Sequence, residues 1–179
     1  MMILYMIGCV NEIGKRQKAD NVSGLLGESG FREYMNQLDT PLETGYLLRI
    51  GIDHFKEIND NFGQEYGDFV LKKTAECISG CTSEGQKVYK LVADEFLILD
   101  VASDEAKDAD KLYDKVREAI DRFIETNEFK VMYTVSGGIV PFAALKGNQC
   151  SEALKLTDFA LNEAKKLGRN RCYIFNGET

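Results

Sequence analysis

The sequence predicts an α+β fold, a ferredoxin-like palm in which a central, mainly antiparallel sheet is flanked by helices. Short apolar runs alternate with longer segments whose apolar residues recur at helical spacing. From the first strand onward the predicted order is β, α, β, β, α, β, α, β. The chain has 179 residues, of which 44% are hydrophobic and 28% charged, and this suits one domain with its own core.

The first half of the chain supplies a helix that precedes this order and the first two elements of the order itself. Residues 28–38 have apolar side chains at helical spacing, with Ser29 available as N-cap, and predict the first helix. Residues 45–53, GYLLRIGID, are mostly apolar but too few for a buried helix, so they predict a central strand. Residues 69–79 again show helical spacing, and Gly80 indicates the end of that helix.

The second half supplies the rest. Residues 87–100 hold two apolar runs around a tight turn and predict a β-hairpin, and 104–126 carry one apolar stripe typical of a long surface helix. Residues 131–140 are β-branched and predict a strand with a bulge at its Gly-Gly pair. Residues 151–167 predict a helix stopped by Gly168, and 171–175 a final strand.

Composition excludes some function classes. A formal charge of −7 argues against a nucleic-acid surface, which needs clustered Lys and Arg. The apolar run at residues 1–10 is too short to span a bilayer, so no membrane segment is predicted. The five cysteines include no CxxC pair, and no cleavable signal sequence is visible. We therefore expect reduced cysteines and a cytoplasmic location.

Four motifs in order resemble the GGDEF family, the diguanylate cyclases that condense two GTP into cyclic di-GMP. The matching segments cover residues 20–175 and read DNVSGL from 20, IDHFKEINDNFGQEYGDFVL from 52, VADEF from 92 and AKKLGRN from 164. The family's two hairpin glycines are replaced by Val92 and Ala93. The resemblance implies a nucleotide-cyclase-like palm, which agrees with the predicted order of elements.

The resemblance also implies a binding site for GTP or GDP. Asn59 and Asp68 match the positions that read the guanine edge, for which an amide and a carboxylate are suitable chemistry. Asn59 as a turn residue and Asp68 as a helix N-cap are the structural alternatives. Lys165 and Arg169 match positions that meet the triphosphate, with Lys56 as added charge; the alternative is a cationic last helical turn that complements the helix dipole.

The implied metal site departs from the family pattern. The family holds two divalent ions, usually Mg²⁺, on carboxylate and backbone oxygens. Asp94 and the backbone carbonyl of Ile52 match metal-binding positions, Glu95 matches the next acidic position, and Asp53 is a further candidate ligand. Gly51 stands where the family has its first metal-binding Asp. With one carboxylate lost, we expect Mg²⁺ to be held weakly or not at all.

The hairpin turn departs as well. Val92 is β-branched and disfavours the positive φ that glycine permits, while Ala93 is a smaller obstacle. Asp94 and Glu95 are therefore expected to be vestigial catalytic residues. Lys90 is interpreted as a solvated strand residue.

These departures favour a degenerate GGDEF domain that binds GTP and regulates its neighbours. The alternatives are an active cyclase working as a homodimer, and a dimerisation scaffold without ligand. Residues 7–18 resemble the end of a PAS sensor domain, so we expect residues 1–19 to be a linker or sensor tail and 20–179 the GGDEF domain. The resemblance also implies an EAL domain as a neighbour.

Overall fold

The computed structural model describes residues 19–40, 42–101, 103, 106–126, 131–145 and 150–177, which form six strands and five α-helices. The strands are β1 (Leu26–Gly27), β2 (Tyr46–Ile52), β3 (Lys87–Lys90), β4 (Glu95–Asp100), β5 (Val135–Pro141) and β6 (Cys172–Ile174). The helices are α1 (Glu28–Asn36), α2 (Phe55–Phe62), α3 (Gln64–Cys81), α4 (Ala106–Thr126) and α5 (Cys150–Lys166), with a 3₁₀ turn at Phe142–Ala144.

All six strands form one sheet in the order β1-β3-β4-β2-β5-β6. The three central pairings, β3 with β4, β4 with β2 and β2 with β5, are antiparallel. The two outer pairings are parallel. The prediction of an α+β fold with a mainly antiparallel sheet flanked by helices is therefore confirmed.

Strand β2 is the centre of the core, and all seven of its residues are buried. Because side chains alternate along a strand, β2 supplies both faces of the sheet. One face packs Leu48 and Ile50 against residues of α3 and α4. On the other face Leu47 lies in a cluster with residues of α1 and the start of α5. This two-sided burial explains why the strand reads as an apolar run without alternation.

The predicted helices differ from the structure at their N-terminal ends. Helix α2 was not predicted, and α3 begins at Gln64 rather than 69. The two helices are separated only by Gly63, whose φ of 86° breaks the helical path. The prediction of Ser29 as N-cap is wrong, because the cap position of α1 is Gly27 and Ser29 lies inside the helix.

The predicted bulge at Gly137 and Gly138 is also wrong. Both residues pair in register with β2, Gly137 with Ile50 and Gly138 with Arg49. The glycines are explained by close packing on the two faces. A Cβ at Gly138 would lie 2.3 Å from the backbone nitrogen of Leu161, and one at Gly137 would lie 2.7 Å from the Tyr113 ring. Helix α5 therefore rests directly on the sheet backbone at Gly138.

The residues that resemble a PAS ending, 7–18, lie outside the described part of the chain. The domain boundary predicted near residue 20 therefore stays a prediction. Among the described helices, none combines the length and apolar character that crossing a membrane requires.

Candidate functional site

The end of β2 meets the turn between β3 and β4. Gly51 is paired with Glu95, and the backbone N–H of Ile52 donates to the backbone carbonyl of Asp94 over 3.3 Å. The positions that the sequence connects with metal binding, 51, 52, 94 and 95, thus lie together at one end of the sheet.

A lysine occupies the space beside Gly51. A Cβ built at Gly51 would lie 3.2 Å from Nζ of Lys165 and 3.1 Å from a methyl group of Leu161, both on α5. Lys165 is half-buried near the C-terminus of that helix. A protein ammonium therefore lies next to the position at which the first family Asp would begin its side chain.

The carboxylate of Asp53 is fully engaged by neighbouring donors. Its Oδ1 accepts a hydrogen bond from Ser136 (2.7 Å), and its Oδ2 accepts from the hydroxyl of Thr134 (2.7 Å) and the backbone N–H of Asn170 (3.1 Å). Asp53 is only 2% exposed. It thereby ties the end of β2 to the start of β5 and to the loop after α5.

Glu95 is paired with an arginine that the sequence analysis did not single out. Nε of Arg49 donates to Oε2 of Glu95 over 2.7 Å, and Nη2 contacts the same oxygen. Nη1 of Arg49 donates to the backbone carbonyl of Leu154 on α5 over 3.1 Å, and Asp158 lies 3.5 Å away. With its side chain 9% exposed, Arg49 holds Glu95 against the sheet.

The backbone strain of the hairpin turn lies at Ala93. Ala93 has φ of 53°, whereas Val92 is not among the described non-glycine residues with positive φ. Val92 is instead 70% exposed at the tip. The alanine therefore carries the glycine-like conformation, and whether the bulk of Val92 obstructs a nucleotide stays a prediction.

Lys90 is buried, so its interpretation as a solvated residue is wrong. Its ammonium donates to the carbonyl of Leu91 over 2.8 Å and to that of Ala93. Only 6% of the residue is exposed. Burial lowers the pKa of Lys90, while the charges of Asp20, Asp94 and Glu95 act in the opposite direction. Lys90 thus stabilises the turn by binding two of its backbone carbonyls.

Asp94 lies half-buried beside these cations. Burial raises its pKa above the ordinary Asp value, and the positive charges of Lys165 and Lys90 partly offset that rise. The neighbouring charge of Glu95 acts in the same direction as burial. The positive charges that act on Asp94 are therefore those of the lysines Lys165 and Lys90.

The two predicted guanine-reading residues lie where α2 and α3 meet. A Cβ at Gly67 would lie 1.8 Å from Oδ1 of Asn59, so only glycine leaves space for this amide. Asp68 follows Gly67 and is exposed. Both structural alternatives are wrong, because Asn59 lies within α2 and Asp68 lies within α3, four residues after its start at Gln64.

The remaining basic candidates lie on two other segments of the chain. Lys56 is exposed in the first turn of α2. Arg169 is exposed in the loop after α5, where Gly168, Arg169 and Asn170 all have positive φ. The Asn170 contact with Asp53 fixes this loop beside the end of β2. The GRN motif is thus a bend that presents Arg169 near the same end of the sheet.

These residues do not fit a site that binds two divalent ions. Gly51 supplies no carboxylate, Asp53 is engaged by three donors, and Glu95 is paired with Arg49. In the described residues no group of three or more His, Cys, Asp and Glu side chains is arranged to hold a metal ion. Asp94 and the Ile52 backbone are the remaining predicted ligands.

A separate cavity of about 500 Å³ lies between α2, the C-terminal part of α4 and the start of β5. Its walls include Glu57, Ile58, Asp121 and Tyr133 but neither Asn59 nor Asp68. The cavity is therefore separate from the predicted guanine-reading residues, although Asp53 also lines it.

Arg49 is the main site residue that sequence reasoning missed, although its signal was present. It is a lone charge within the apolar run of β2. A charge buried in a central strand requires a partner. The antiparallel pairing of the acidic hairpin with this strand supplies that partner as Glu95.

The mixed sheet with an acidic hairpin turn beside a basic helix end is shared with a known class of signalling domain. The model of the diguanylate cyclase GGDEF domain matches residues 18–171, which is most of the chain. The chain therefore belongs to the GGDEF family.

Individual relatives agree with this assignment. The chain is 30% identical over 162 residues to the cyclic di-GMP phosphodiesterase NbdA of Pseudomonas aeruginosa, covering 88% of this chain and 20% of NbdA. It is 30% identical over 165 residues to the diguanylate cyclase DgcZ of Escherichia coli, covering 90% and 54%. Among these two curated relatives the chain thus spans between a fifth and about half of the whole length.

The fold matches a solved GGDEF domain. The structure of the isolated GGDEF domain of YfiN from Pseudomonas aeruginosa is 25% identical in sequence and superposes with a TM-score of 0.77. The match covers 89% of this chain and 95% of the YfiN domain. The nucleotide-cyclase-like palm expected from the sequence is therefore confirmed.

Proposed function

We propose that this chain is a catalytically impaired GGDEF domain that binds GTP and acts as a regulatory module in a longer cyclic di-GMP signalling protein. The observation that carries the proposal is that the guanine-reading residues are kept while the metal-binding positions are altered. The guanine-reading side keeps Asn59 against Gly67 and an exposed Asp68, whereas the metal side has Gly51 next to Lys165.

Guanine recognition follows from the hydrogen-bonding groups of Asn59 and Asp68. The Asn59 amide can donate and accept, and the exposed carboxylate of Asp68 accepts from the ring N–H and the exocyclic amine of guanine. Adenine presents no such pair of donors on one edge, so GTP or GDP is favoured over ATP. The missing side chain at Gly67 sets the depth at which Asn59 sits.

Phosphate binding is assigned to the basic residues at the end of β2. Lys165 supplies a compact ammonium, and Arg169 supplies a planar fork that matches phosphate oxygens. Lys56 adds positive charge at the N-terminal end of α2, where the helix dipole also favours anions. These groups would bind the nucleotide without performing chemistry on it.

Impaired cyclisation follows from the acidic residues. A cyclase must neutralise phosphate charge and activate a 3′-hydroxyl while two GTP molecules face each other. Glu95 is committed to Arg49, and Asp94 is the one predicted carboxylate ligand for which the described part of the structure gives no hydrogen-bonded cation or triple-donor contact like those of Glu95 and Asp53. We therefore expect Asp94 and Glu95 to be vestigial in catalysis.

A regulatory role in a longer protein is supported by the relatives. NbdA is named a phosphodiesterase, and the chain covers a fifth of its length. The match thus places a GGDEF segment inside a protein named for a different activity. We expect a sensor of the PAS type and an EAL domain as neighbours in the full-length protein.

An active cyclase is the second candidate, because DgcZ matches 90% of this chain and is named a diguanylate cyclase. Such an enzyme would work as a homodimer with one GTP in each half-site. Incubation with GTP and Mg²⁺, followed by chromatography for cyclic di-GMP, separates the two. Appreciable turnover would replace the impaired module by the cyclase.

The binding claim is tested by calorimetry with GTP, GDP and ATP. We expect GTP to bind, Asn59→Ala and Asp68→Ala each to weaken it at least about tenfold, and ATP to bind more weakly. Asp110→Ala removes an exposed carboxylate from α4 and serves as the matched control. An absence of heat with every nucleotide would leave a ligand-free scaffold as the function.

A further inference from the structure

We propose that Lys165 and Arg49 take over the charge role of divalent metal at this site, so that a nucleotide's phosphates bind here without Mg²⁺. This inference rests on the proposed binding of GTP and specifies its form. It comes from the positions of two cations relative to the acidic hairpin.

The first step concerns Lys165. Its Nζ lies 3.2 Å from the Cβ position at Gly51. An Asp side chain introduced at Gly51 would have the Lys165 ammonium next to its Cβ. The absence of a side chain at Gly51 thus leaves the half-buried Lys165 room at the end of β2, where its ammonium can donate to a phosphate oxygen.

The second step concerns Arg49. A guanidinium keeps its charge at every relevant pH, and here it approaches one Glu95 oxygen through two nitrogens. Its third nitrogen is fixed by the Leu154 carbonyl. Glu95 is therefore neutralised by a permanent, immobile cation and does not need an ion from solution.

The third step concerns the carboxylates that remain. Asp53 accepts three hydrogen bonds that hold the sheet and the GRN loop together, so recruiting it to a metal would break those contacts. Asp94 alone cannot form the multi-oxygen shell that Mg²⁺ prefers. Lys90, whose ammonium donates to the carbonyl of the preceding residue Ala93, already places positive charge next to it.

The first experiment measures GTP affinity in excess EDTA and in excess Mg²⁺. We expect dissociation constants within about threefold of each other, because no metal bridges protein and phosphate. In EDTA, Lys165→Met should weaken GTP at least about tenfold, since it keeps the aliphatic stem but removes the charge-assisted contact. Lys166→Met, its neighbour with a 70% exposed side chain, should bind like the unmodified chain.

Each outcome of that experiment decides something different. GTP binding that requires Mg²⁺ overturns the metal replacement and leaves the proposed function intact. An absence of GTP binding in both solutions overturns the proposed function and the phosphate contact. Equal loss in Lys165→Met and Lys166→Met overturns the assignment to Lys165.

The second experiment uses no nucleotide and follows Mn²⁺ by electron paramagnetic resonance. We expect no saturable binding to the unmodified chain, and a gain of Mn²⁺ binding in Gly51→Asp/Lys165→Met, which supplies the carboxylate and removes the ammonium. Saturable binding to the unmodified chain that is lost in Asp94→Asn would overturn the inference. A double variant that folds, by circular dichroism, and still binds no Mn²⁺ would overturn the placement of Lys165 at the metal position.

Discussion

Arg49 and Glu95 form an ion pair between adjacent central strands, with Nε and Nη2 of the guanidinium donating to one carboxylate oxygen. The two side chains lie on the same face of the sheet because Glu95 pairs with Gly51, two residues beyond Arg49. Their side chains are 9% and 17% exposed, so the pair is largely removed from water.

Arg49→Met tests the energetic weight of this pair. Removing one partner leaves a largely buried carboxylate without its cation, and we expect a loss of about 3 kcal/mol in the free energy of unfolding. Denaturant titration followed by circular dichroism measures it. Arg49→Met/Glu95→Gln should recover most of the loss, because no charge is then left uncompensated; a double variant as unstable as the single one would contradict the prediction.

Ala93 and Val92 form a matched pair for a test of backbone strain. Ala93→Gly should raise the free energy of unfolding by about 1 kcal/mol, because Gly accepts the φ of 53° without steric cost. Val92→Gly, one residue earlier and without positive φ, should lower the free energy of unfolding slightly, because glycine raises the conformational entropy of the unfolded chain. Thermal unfolding of both variants gives the comparison, and the opposite signs would show the strain to lie at Val92.

Asp53→Ala should destabilise the fold rather than abolish a metal site. Three donors lose their acceptor, and we expect a cost of about 3 kcal/mol in the free energy of unfolding. Hydrogen exchange should show faster exchange of the Asn170 amide, which donates directly to Asp53. Asp68→Ala, at an exposed position, is the control and should leave both quantities unchanged.

Alkaline pH should destabilise the domain through buried tyrosines. Burial raises the pKa of Tyr133 to about 12, against an unfolded value near 10. The folded chain therefore holds this proton more tightly, and its contribution is present in full below pH 10 and is lost as pH rises through 12. Linkage limits that contribution to about 3 kcal/mol.

Tyr133→Phe separates this effect from packing. At neutral pH the variant should be less stable by about 1 kcal/mol, because the hydroxyl contacts Thr74 over 3.0 Å. Between pH 10 and 12 its stability should fall less steeply than that of the unmodified chain. Parallel curves of unfolding free energy against pH would show that Tyr133 does not carry the alkaline dependence.

The extent to which the sequence predicts the fold depends on how local each signal is. The apolar run of β2 and the stripe of α4 are local patterns, and both elements were predicted within one or two residues. Helix α2 was missed although Phe55, Ile58 and Phe62 recur at helical spacing, because eight residues are too short a segment for that pattern to stand out. The glycines of β5 were misread because their cause, contact with α5 and Tyr113, lies far away in the sequence.

In the candidate site, too, local motifs could be predicted and contacts between distant segments could not. Asn59, Asp68, Lys165 and Arg169 were selected from motifs, and the structure positions them around the meeting point of α2 and α3 and the end of β2. The roles of Lys90 and Asp53 could not be predicted in this way, because each depends on which atoms of distant segments lie within hydrogen-bond distance. For Arg49 the sequence indicates that a partner is needed but not which residue supplies it. A pattern of residue types does not specify the direction of a side chain.

The order of strands has a mechanical consequence for any protein that contains this domain. Strands β1 and β6 are the opposite edges of the sheet, with four strands between them. Five inter-strand spacings separate them, which is about 24 Å. Segments joined ahead of β1 and behind β6 are therefore held at a fixed separation by the hydrogen-bonded sheet between them.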